Sequence, residues 1–181
     1  MSLHGRYMWV GTSKGVFKVD TKTLRVVRHY GKDTGSMPLS TNSVRYLYAD
    51  SKGDVWVSFS YDDICRIDEK NGKVTTYDMT QGLGNEAVTG IVESRFGHMV
   101  FATSNGLYLF FPGNGNFMRC DLDNELPESY NYGACHADGQ DIYFGSTEGL
   151  VWTTDMAIRP SPLFSRVSFC ALSVANGRSL N

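Results

Sequence analysis

Residues 85–111, NEAVTGIVESRFGHMVFATSNGLYLFF, decide the fold of this chain. They predict three short strands, 88–92, 99–103 and 107–111, which are separated by tight turns around Gly97 and at Asn105-Gly106. Residues 7–16, 42–57 and 131–150 repeat this plan in whole or in part. Repetition at a fixed period indicates a repeat architecture, so the length of the period decides the fold class.

The period is that of a propeller blade. The anchors of the second strand in each copy, Trp9, Trp56, Val100 and Tyr143, are 47, 44 and 43 residues apart. A unit of about 40–50 residues with four short strands is typical of a β-propeller. The sequence therefore predicts an all-β fold, a partial β-propeller of about four blades, each a four-stranded antiparallel sheet, in an incomplete ring.

The individual strands follow from the alignment of the copies. Blade 1 is predicted to lack its inner strand, and blade 4 shows no evident outer strand. Asn71-Gly72 predicts a type I′ hairpin turn. Second strands such as 55–57 and 99–102 are continuously apolar, which is expected of sheets that are buried on both faces. The predicted strands are 7–12, 16–20 and 24–30; 44–49, 55–60, 64–68 and 73–77; 88–92, 99–103, 107–111 and 116–120; and 132–136, 142–146 and 150–153.

Composition narrows the class of partner. The chain is 41% apolar and 20% charged, as in ordinary globular proteins, and its net charge is −2. This charge gives no electrostatic reason to expect a nucleic acid or an anionic membrane as partner. No apolar run of 18 residues is present, so no membrane-spanning segment is expected in this chain, and the first residues do not have the pattern of a signal peptide.

The repeats also resemble a known family. Asn42-Ser-Val, followed by Asp50-Ser-Lys-Gly-Asp-Val-Trp-Val, is similar to the two-component regulator propeller repeat, which has the pattern N-x-V, D-x-x-G-x-[IL]-W-[IV]-G-T and G-[IL]. Residues 9–16 match the second half of this pattern, and 99–107 and 142–150 match it with the Trp replaced. Two departures are Ser94 at the usual Asp and the turn at 59–63, where Asp63 replaces the usual Gly.

The resemblance implies a sensor. In that family the propeller is the periplasmic, extracytoplasmic sensor region of a hybrid two-component histidine kinase, often one that responds to products of polysaccharide breakdown. An immunoglobulin-like domain usually follows the last blade. The expected division is therefore residues 1–156 as propeller blades and 157–181 as a proline-led linker and the start of a truncated immunoglobulin-like domain. The kinase is expected outside this chain.

Several local patterns suggest chemistry, but each has a simpler structural explanation. Residues 11–15 satisfy the G-x-S-x-G expression of a hydrolase nucleophile elbow, yet a strand instead of a helix follows Ser13, and other blades reuse the turn. The four cysteines, Cys65, Cys120, Cys135 and Cys170, lack the C-x-x-C spacing of zinc sites and are expected to be buried or half-buried free thiols. The Asp50 loop lacks the ligand order of a calcium site. We expect no catalytic residue, no metal site and no cofactor.

Ligand-binding residues are better sought among features that occur in one blade only. The recurring Asn42, Asn85 and Asn131 are expected to shape the crossovers between blades. By contrast, Tyr61, Asp62 and Asp63 lie at the remodelled turn, and Tyr130 and Tyr132 form a single aromatic cluster. Tyrosine offers a flat apolar face and a hydroxyl group, and carboxylates accept hydrogen bonds from sugar hydroxyls. These five residues are the predicted ligand-binding site.

The predicted function is therefore non-catalytic sensing or ligand binding, with a small molecule or oligosaccharide as ligand. One alternative is a propeller enzyme, a sugar or lactone hydrolase or lyase, although His4, His29, His98 and His136 fall at unrelated positions of the repeat. Another alternative is a protein-interaction scaffold. Self-association is also expected, through open blade edges and faces, with two four-blade arcs completing a ring as one arrangement. The alternative is that the tail, residues 163–174, folds back and covers one of the open edges.

Overall fold

The computed structural model describes residues 1–34, 38–60, 63–83, 87–120 and 129–154, together with two short strands near the C-terminus. The described residues are almost entirely β-structure, apart from a 3₁₀ turn at Met79–Gln81. The chain divides into two compact units, Met1–Thr80 and Gln81–Asn181, and each contains two sheets. The predicted partial β-propeller is confirmed, with four blades and no closed sheet.

The first unit contains blades 1 and 2. Each blade is an antiparallel meander in which neighbouring strands of the sequence pair with each other. Blade 1 consists of β1 (Ser2–His4), β2 (Tyr7–Thr12), β3 (Gly15–Asp20) and β4 (Arg25–Tyr30), and blade 2 of β5 (Val44–Ala49), β6 (Val55–Phe59), β7 (Ile64–Ile67) and β8 (Val74–Tyr77). The predicted strands agree with these to within one or two residues at each end.

The second unit contains blades 3 and 4 in the same meander order. Blade 3 consists of β9 (Val88–Glu93), β10 (Met99–Thr103), β11 (Gly106–Phe111) and β12 (Asn116–Arg119). Blade 4 consists of β13 (Tyr130–Asp138), β14 (Asp141–Ser146) and β15 (Leu150–Thr154), followed by β16 (Ser173–Val174) and β17 (Arg178–Ser179). The strands β6 and β10 are buried along their whole length, as their apolar sequences predict.

Two predictions about missing strands were wrong. Blade 1 has an inner strand, because Ser2–His4 pairs with β2 across a short turn in which Gly5 has a φ of 55°. Blade 4 has an outer strand, because Ser173 and Val174, at the end of the tail segment named as the alternative cover for an edge, pair with Trp152 and Val151 of β15. Both strands are too short to show a periodic pattern in the sequence. The domain boundary proposed at residue 156 remains a prediction, since most of 157–181 lies outside the described residues.

The hairpins between third and fourth strands also differ from prediction. A type I′ turn needs positive φ at both central residues, but only Gly72 has it, at 74°, and Asn71 does not. Instead, the N–H of Gly72 donates to the carbonyl of Asp68, and that aspartate's carboxylate accepts the N–H groups of Lys70 and Asn71. Blade 1 has the same turn with Leu24 at a φ of 55°, which is why β4 begins at Arg25 and not at the predicted residue 24.

Each blade has two faces with different packing partners. In blade 1, we call the face that carries Met8, Val10, Phe17 and Val19 the front face. The opposite face, which carries Trp9, Gly11, Val16 and Lys18, is the back face. The pairing of second and third strands assigns the corresponding residues to the two faces of the other blades. In the first unit, one core cluster joins Trp9 and Val16 of the back face of blade 1 to Val55 and Val57 of the front face of blade 2.

The second unit repeats this packing. Its core cluster joins Val100, Leu107 and Leu109 of the back face of blade 3 to Ile142 and Phe144 of the front face of blade 4. The inner part of each interface depends on a small residue. A Cβ atom on Gly11 would lie 2.4 Å from Cγ1 of Val44, and one on Gly90 would lie 2.7 Å from Sγ of Cys135. The back face of one blade therefore packs on the front face of the next within each unit.

Candidate functional site: turns and crossovers of the blades

The candidate site consists of the turns between second and third strands and the crossovers between blades. Loops that are held on a rigid scaffold are where binding residues concentrate. Asn42 organises the first crossover: its carbonyl oxygen accepts the N–H of Gly15 at 2.8 Å, and its side-chain oxygen accepts the N–H of Lys32 at 2.6 Å. In blade 4, Nδ2 of Asn131 donates to the carbonyl of Ser146 at 2.9 Å. The crossover role predicted for Asn42 is confirmed, whereas Asn131 bonds within blade 4, from its inner strand to its second strand. Asn85 lies outside the described residues.

A hydroxyl group closes the turn between second and third strands in three blades. Oγ1 of Thr12 donates to the carbonyl of Gly15 at 3.0 Å and accepts the N–H of Lys14 at 2.9 Å. Thr103 and Ser146 make the corresponding contacts to the carbonyls of Gly106 and Gly149, at 2.8 and 3.0 Å. Ser13 lies exposed at the tip of such a turn, between two strands. The turn that contains Ser13 is therefore a hairpin and not a nucleophile elbow.

We expect the Ser13→Ala variant to keep its fold and to lose no hydrolytic activity, because the Ser13 side chain is exposed at a hairpin turn. The measurement is hydrolysis of a panel of p-nitrophenyl esters, with circular dichroism as the check on folding. Thr12→Ala is the matched control, since it removes the hydroxyl that bridges the same turn and should destabilise the chain by about 1 kcal/mol. Ester hydrolysis by the wild type that disappears in Ser13→Ala would contradict the assignment.

Blade 2 departs from this turn. Phe59 occupies the position of Thr12 and is 2% exposed, so its ring extends the core where the other blades have a hydroxyl. Asp63 occupies the position of the turn glycine and is partly exposed. The nearby thiol of Cys65 is buried, which raises its pKa, and the charge of Asp63 contributes to the same direction. Tyr61 and Asp62 lie outside the described residues, so of the predicted trio the structure places only Asp63.

The two tyrosines of the predicted site differ in exposure. Tyr130 is 2% exposed and belongs to the core between blades 3 and 4, where its ring contacts that of Phe144 edge-on at 5.8 Å between centroids. Burial raises the pKa of Tyr130, and within the described part of the chain its buried hydroxyl has no hydrogen-bond partner. Tyr132 is 55% exposed at the start of the inner strand. Tyr132 therefore offers an accessible ring, whereas the ring of Tyr130 is covered.

The predicted site is thus not a single cluster. Asp63 belongs to the first compact unit, and Tyr130 and Tyr132 belong to the second. We therefore keep Asp63 and Tyr132 as separate accessible candidates, each on its own blade.

The strand register shows an arrangement that the sequence reasoning missed. Nζ of Lys18 lies 4.1 Å from the ring centroid of Tyr7 and 5.1 Å from that of Trp9, and it pairs with Glu69 at 2.5 Å. In blade 2 the corresponding Arg66 lies over Trp56 and pairs with Asp54. Cation–π contacts of this kind stabilise a half-buried charge. The cation nine residues after Trp9 and ten residues after Trp56 was the signal in the sequence.

The thiols and acidic groups give no sign of a metal site. Cys65 and Cys120 are buried free thiols and Cys135 is half-buried, as predicted, whereas Cys170 lies outside the described residues. Cys135 and His136 pair with different residues of β14, so adjacent side chains point to opposite faces of the sheet. In the part of the chain that the structure describes, no three His, Cys, Asp or Glu side chains are placed to share a metal ion. The same residues include no helix that is long and apolar enough to cross a membrane.

Comparison with known proteins identifies the repeat. Residues 38–61 match the family model of the two-component regulator propeller. This match covers the crossover end, inner strand and second strand of blade 2, and it confirms the resemblance inferred from Asn42, Asp50 and Trp56. No curated protein sequence matches the chain.

Solved structures share the fold. The extracellular domain of a hybrid two-component system from B. thetaiotaomicron superposes with a TM-score of 0.71 at 22% identity, covering 93% of this chain and 26% of that one. A second such domain from the same organism gives 0.67 at 18% identity, with 99% and 23% coverage. Virginiamycin B lyase from Staphylococcus aureus gives 0.59 at 17% identity, with 84% and 51% coverage. This chain therefore spans about a quarter of the length of the two-component domains that it matches.

Proposed function

We propose that this chain is a non-catalytic, ligand-binding part of the extracytoplasmic sensor region of a hybrid two-component system. The observation that carries the proposal is the match of residues 38–61 to the two-component regulator propeller. The similar folds of extracellular two-component domains support it. The kinase that would read the signal belongs to other parts of such a protein.

A neutral oligosaccharide is the ligand class that we propose. Asp63 supplies a carboxylate at the one turn between second and third strands that departs from the shared hydroxyl-bridged form. Tyr132 supplies an exposed aromatic ring at the start of an inner strand. A carboxylate accepts sugar hydroxyls, and a tyrosine ring packs against the apolar face of a pyranose. The adjacent Asp62 and Asp63 would repel a polyanion, which favours a neutral glycan over a sulfated one.

The test is an NMR titration of the ¹⁵N-labelled chain with neutral hexasaccharides and with a sulfated hexasaccharide. We expect chemical-shift changes at Asp63 and around Tyr132 with a neutral sugar. Affinity should be at least fivefold weaker at the Asp63 position in Asp63→Asn and at the Tyr132 position in Tyr132→Ala. Phe96→Ala is the matched control, because Phe96 is a similarly exposed aromatic residue, 51% exposed, in a turn between a first and a second strand. The ligand proposal would be overturned by chemical-shift changes confined to the turns between first and second strands. Tighter binding of the sulfated sugar, or no binding of any sugar, would also overturn it.

A propeller lyase or hydrolase is the second candidate, and the fold similarity to virginiamycin B lyase is the observation that favours it. Such an enzyme needs histidine and carboxylate groups that converge on one site. The described histidines do not occupy equivalent positions: His4 and His98 border turns between first and second strands, His29 lies on an outer strand and His136 on an inner strand. Turnover of a lactone or uronate-containing sugar by the purified chain would favour the enzyme, and binding without turnover would favour the sensor. A ligand that is itself a protein would indicate a scaffold.

A further inference from the structure

The front face of blade 1 is exposed where the same face is buried in the other blades. In blades 2, 3 and 4, the four positions of the front face are at most 6% exposed. These positions are Val55, Val57, Cys65 and Ile67; Met99, Phe101, Tyr108 and Phe110; and Ile142, Phe144, Val151 and Thr153. In blade 1 the corresponding Met8, Val10, Phe17 and Val19 are all partly exposed, and Val26 beside them is 57% exposed. Blade 1 therefore presents an apolar interface with no blade packed on it among the described residues.

Blade 4 shows the complementary exposure on its back face. Leu150 is 41% exposed, whereas Val16, Ile64 and Leu107 at the same position are at most 1% exposed. Tyr143 is partly exposed, whereas Trp9, Trp56 and Val100 at its position are each 1% exposed. Trp152 next to Tyr143 is also partly exposed. Across the described ranges, blade 1 thus has an exposed front face and blade 4 an exposed back face. Front and back faces are the two surfaces that pack on each other inside each unit.

The charges of the two blades are opposite. Residues 1–34 contain seven Lys and Arg and two Asp, a formal charge of +5. In blade 4, residues 129–154 contain Asp138, Asp141 and Glu148 and no Lys or Arg, and β17 adds Arg178, a formal charge of −2. Like faces would bring like charges together, whereas a front face against a back face brings opposite charges together. Charge and packing therefore favour the same pairing.

We propose that the front face of blade 1 docks on the back face of blade 4 of a second copy of this chain. The contact would be heterologous, with different surfaces on the two partners, and would repeat the blade-on-blade packing of each unit. Of the open edges and faces predicted to drive self-association, this inference keeps the faces, because the edges expected to be open carry Ser2–His4 and Ser173–Val174. It does not depend on the proposed sensory function.

The test uses one substitution on each face and sedimentation velocity over a range of concentrations. Val26→Glu places a charge on the exposed front face, and Val74, its equivalent in blade 2, packs against the core between blades 1 and 2. Leu150→Lys places a positive charge on the back face of blade 4. Both positions are at least 41% exposed, so the fold should not change. Met79→Glu, at a 58% exposed position outside both faces, is the matched control.

We expect the wild type and Met79→Glu to self-associate, with affinity reduced at least tenfold in either face variant and weakened severalfold by raising the salt concentration. An equimolar mixture of Val26→Glu and Leu150→Lys should form a one-to-one complex, because each variant keeps the face that the other lacks. Self-association of either variant alone at wild-type strength would indicate contact between like faces and would overturn the proposal. A monomeric wild type, or a mixture that does not associate, would also overturn it.

Discussion

Replacing Gly15 by alanine is expected to destabilise the chain by about 3 kcal/mol or more. Gly15 has a φ of 104°, which L-residues rarely adopt, and a Cβ atom there would lie 2.1 Å from the carbonyl oxygen of Tyr30. The clash is with backbone, so no side chain can move aside to relieve it. The N–H of Gly15 also donates to the carbonyl of Asn42 at 2.8 Å, which links the turn to the crossover toward blade 2. A shift of the turn would therefore disturb the junction between two blades.

Urea unfolding followed by tryptophan fluorescence measures this loss, since Trp9 and Trp56 are both buried in the same unit. Gly5→Ala is the matched control: its φ is 55°, but a Cβ atom there would have no neighbour within 4 Å. It should cost about 1 kcal/mol, the price of the backbone conformation alone. Equal losses in the two variants would show that the contact with Tyr30 is relieved at no cost and would contradict the argument.

Replacing Asp50 by alanine is expected to cost about 3 kcal/mol. The Asp50 side chain is almost fully buried, and it accepts hydrogen bonds from Nε1 of Trp56 at 3.1 Å, from the N–H of Asp54 at 2.9 Å and from the N–H of Lys52 at 3.0 Å. Lys52 is exposed, so water can replace its partner. The N–H groups of Trp56 and Asp54 are buried and would lose the carboxylate that accepts them. Removing that acceptor adds the full cost of desolvating these two groups to the free energy of folding.

The matched pair for this experiment is Asp50→Asn and Asp68→Ala. An asparagine keeps an acceptor oxygen toward Trp56 or Asp54, so it should retain much of the stability. Asp68 also accepts two backbone N–H groups, of Lys70 and Asn71, but in an exposed turn where water takes over, so its loss should matter much less. If Asp50→Ala unfolds at the same urea concentration as Asp68→Ala, the buried hydrogen bonds of Asp50 do not hold the blade together.

The comparison between blades supports the role of Asp50. Blade 3 has Val100 at the position of Trp56 and needs no acceptor for an indole, and there Ser94 replaces the aspartate and accepts the N–H of His98 at 3.1 Å. Blade 1 keeps Trp9 but has a shorter turn without the aspartate, and Nε1 of Trp9 has no partner among the described residues. The departure of Ser94 from the repeat pattern thus follows from the loss of the tryptophan.

Repetition made the strands predictable. Four aligned copies place the second strand of each blade within a residue of where it lies, because apolar runs and turn glycines recur at similar spacing. The prediction failed at Ser2–His4 and Ser173–Val174, which are too short to show the pattern of the inner and outer strands of the other blades. It also failed at Leu24, because a leucine with positive φ gives no turn signal in the sequence.

The candidate site was less predictable than the fold. The sequence singled out Asp63 and Tyr132 as features of one blade only, and both are accessible. It grouped Tyr130 with Tyr132, yet residues two positions apart on the strand differ from 2% to 55% in exposure. A bulge between Tyr130 and Cys135 breaks the alternation of the inner strand, and the sequence carries no mark of it.

The sequence by itself determined the period, the number of blades and the hairpins between second and third strands, because strand and turn preferences act over a few neighbouring residues and recur in each copy. Tertiary structure decided which faces are covered. Met8, Val10, Phe17 and Val19 are as apolar as their counterparts in blades 2 and 3, yet only the counterparts are buried. Burial depends on whether another sheet lies against the face, and that is a property of the assembled blades, which no local stretch of sequence encodes.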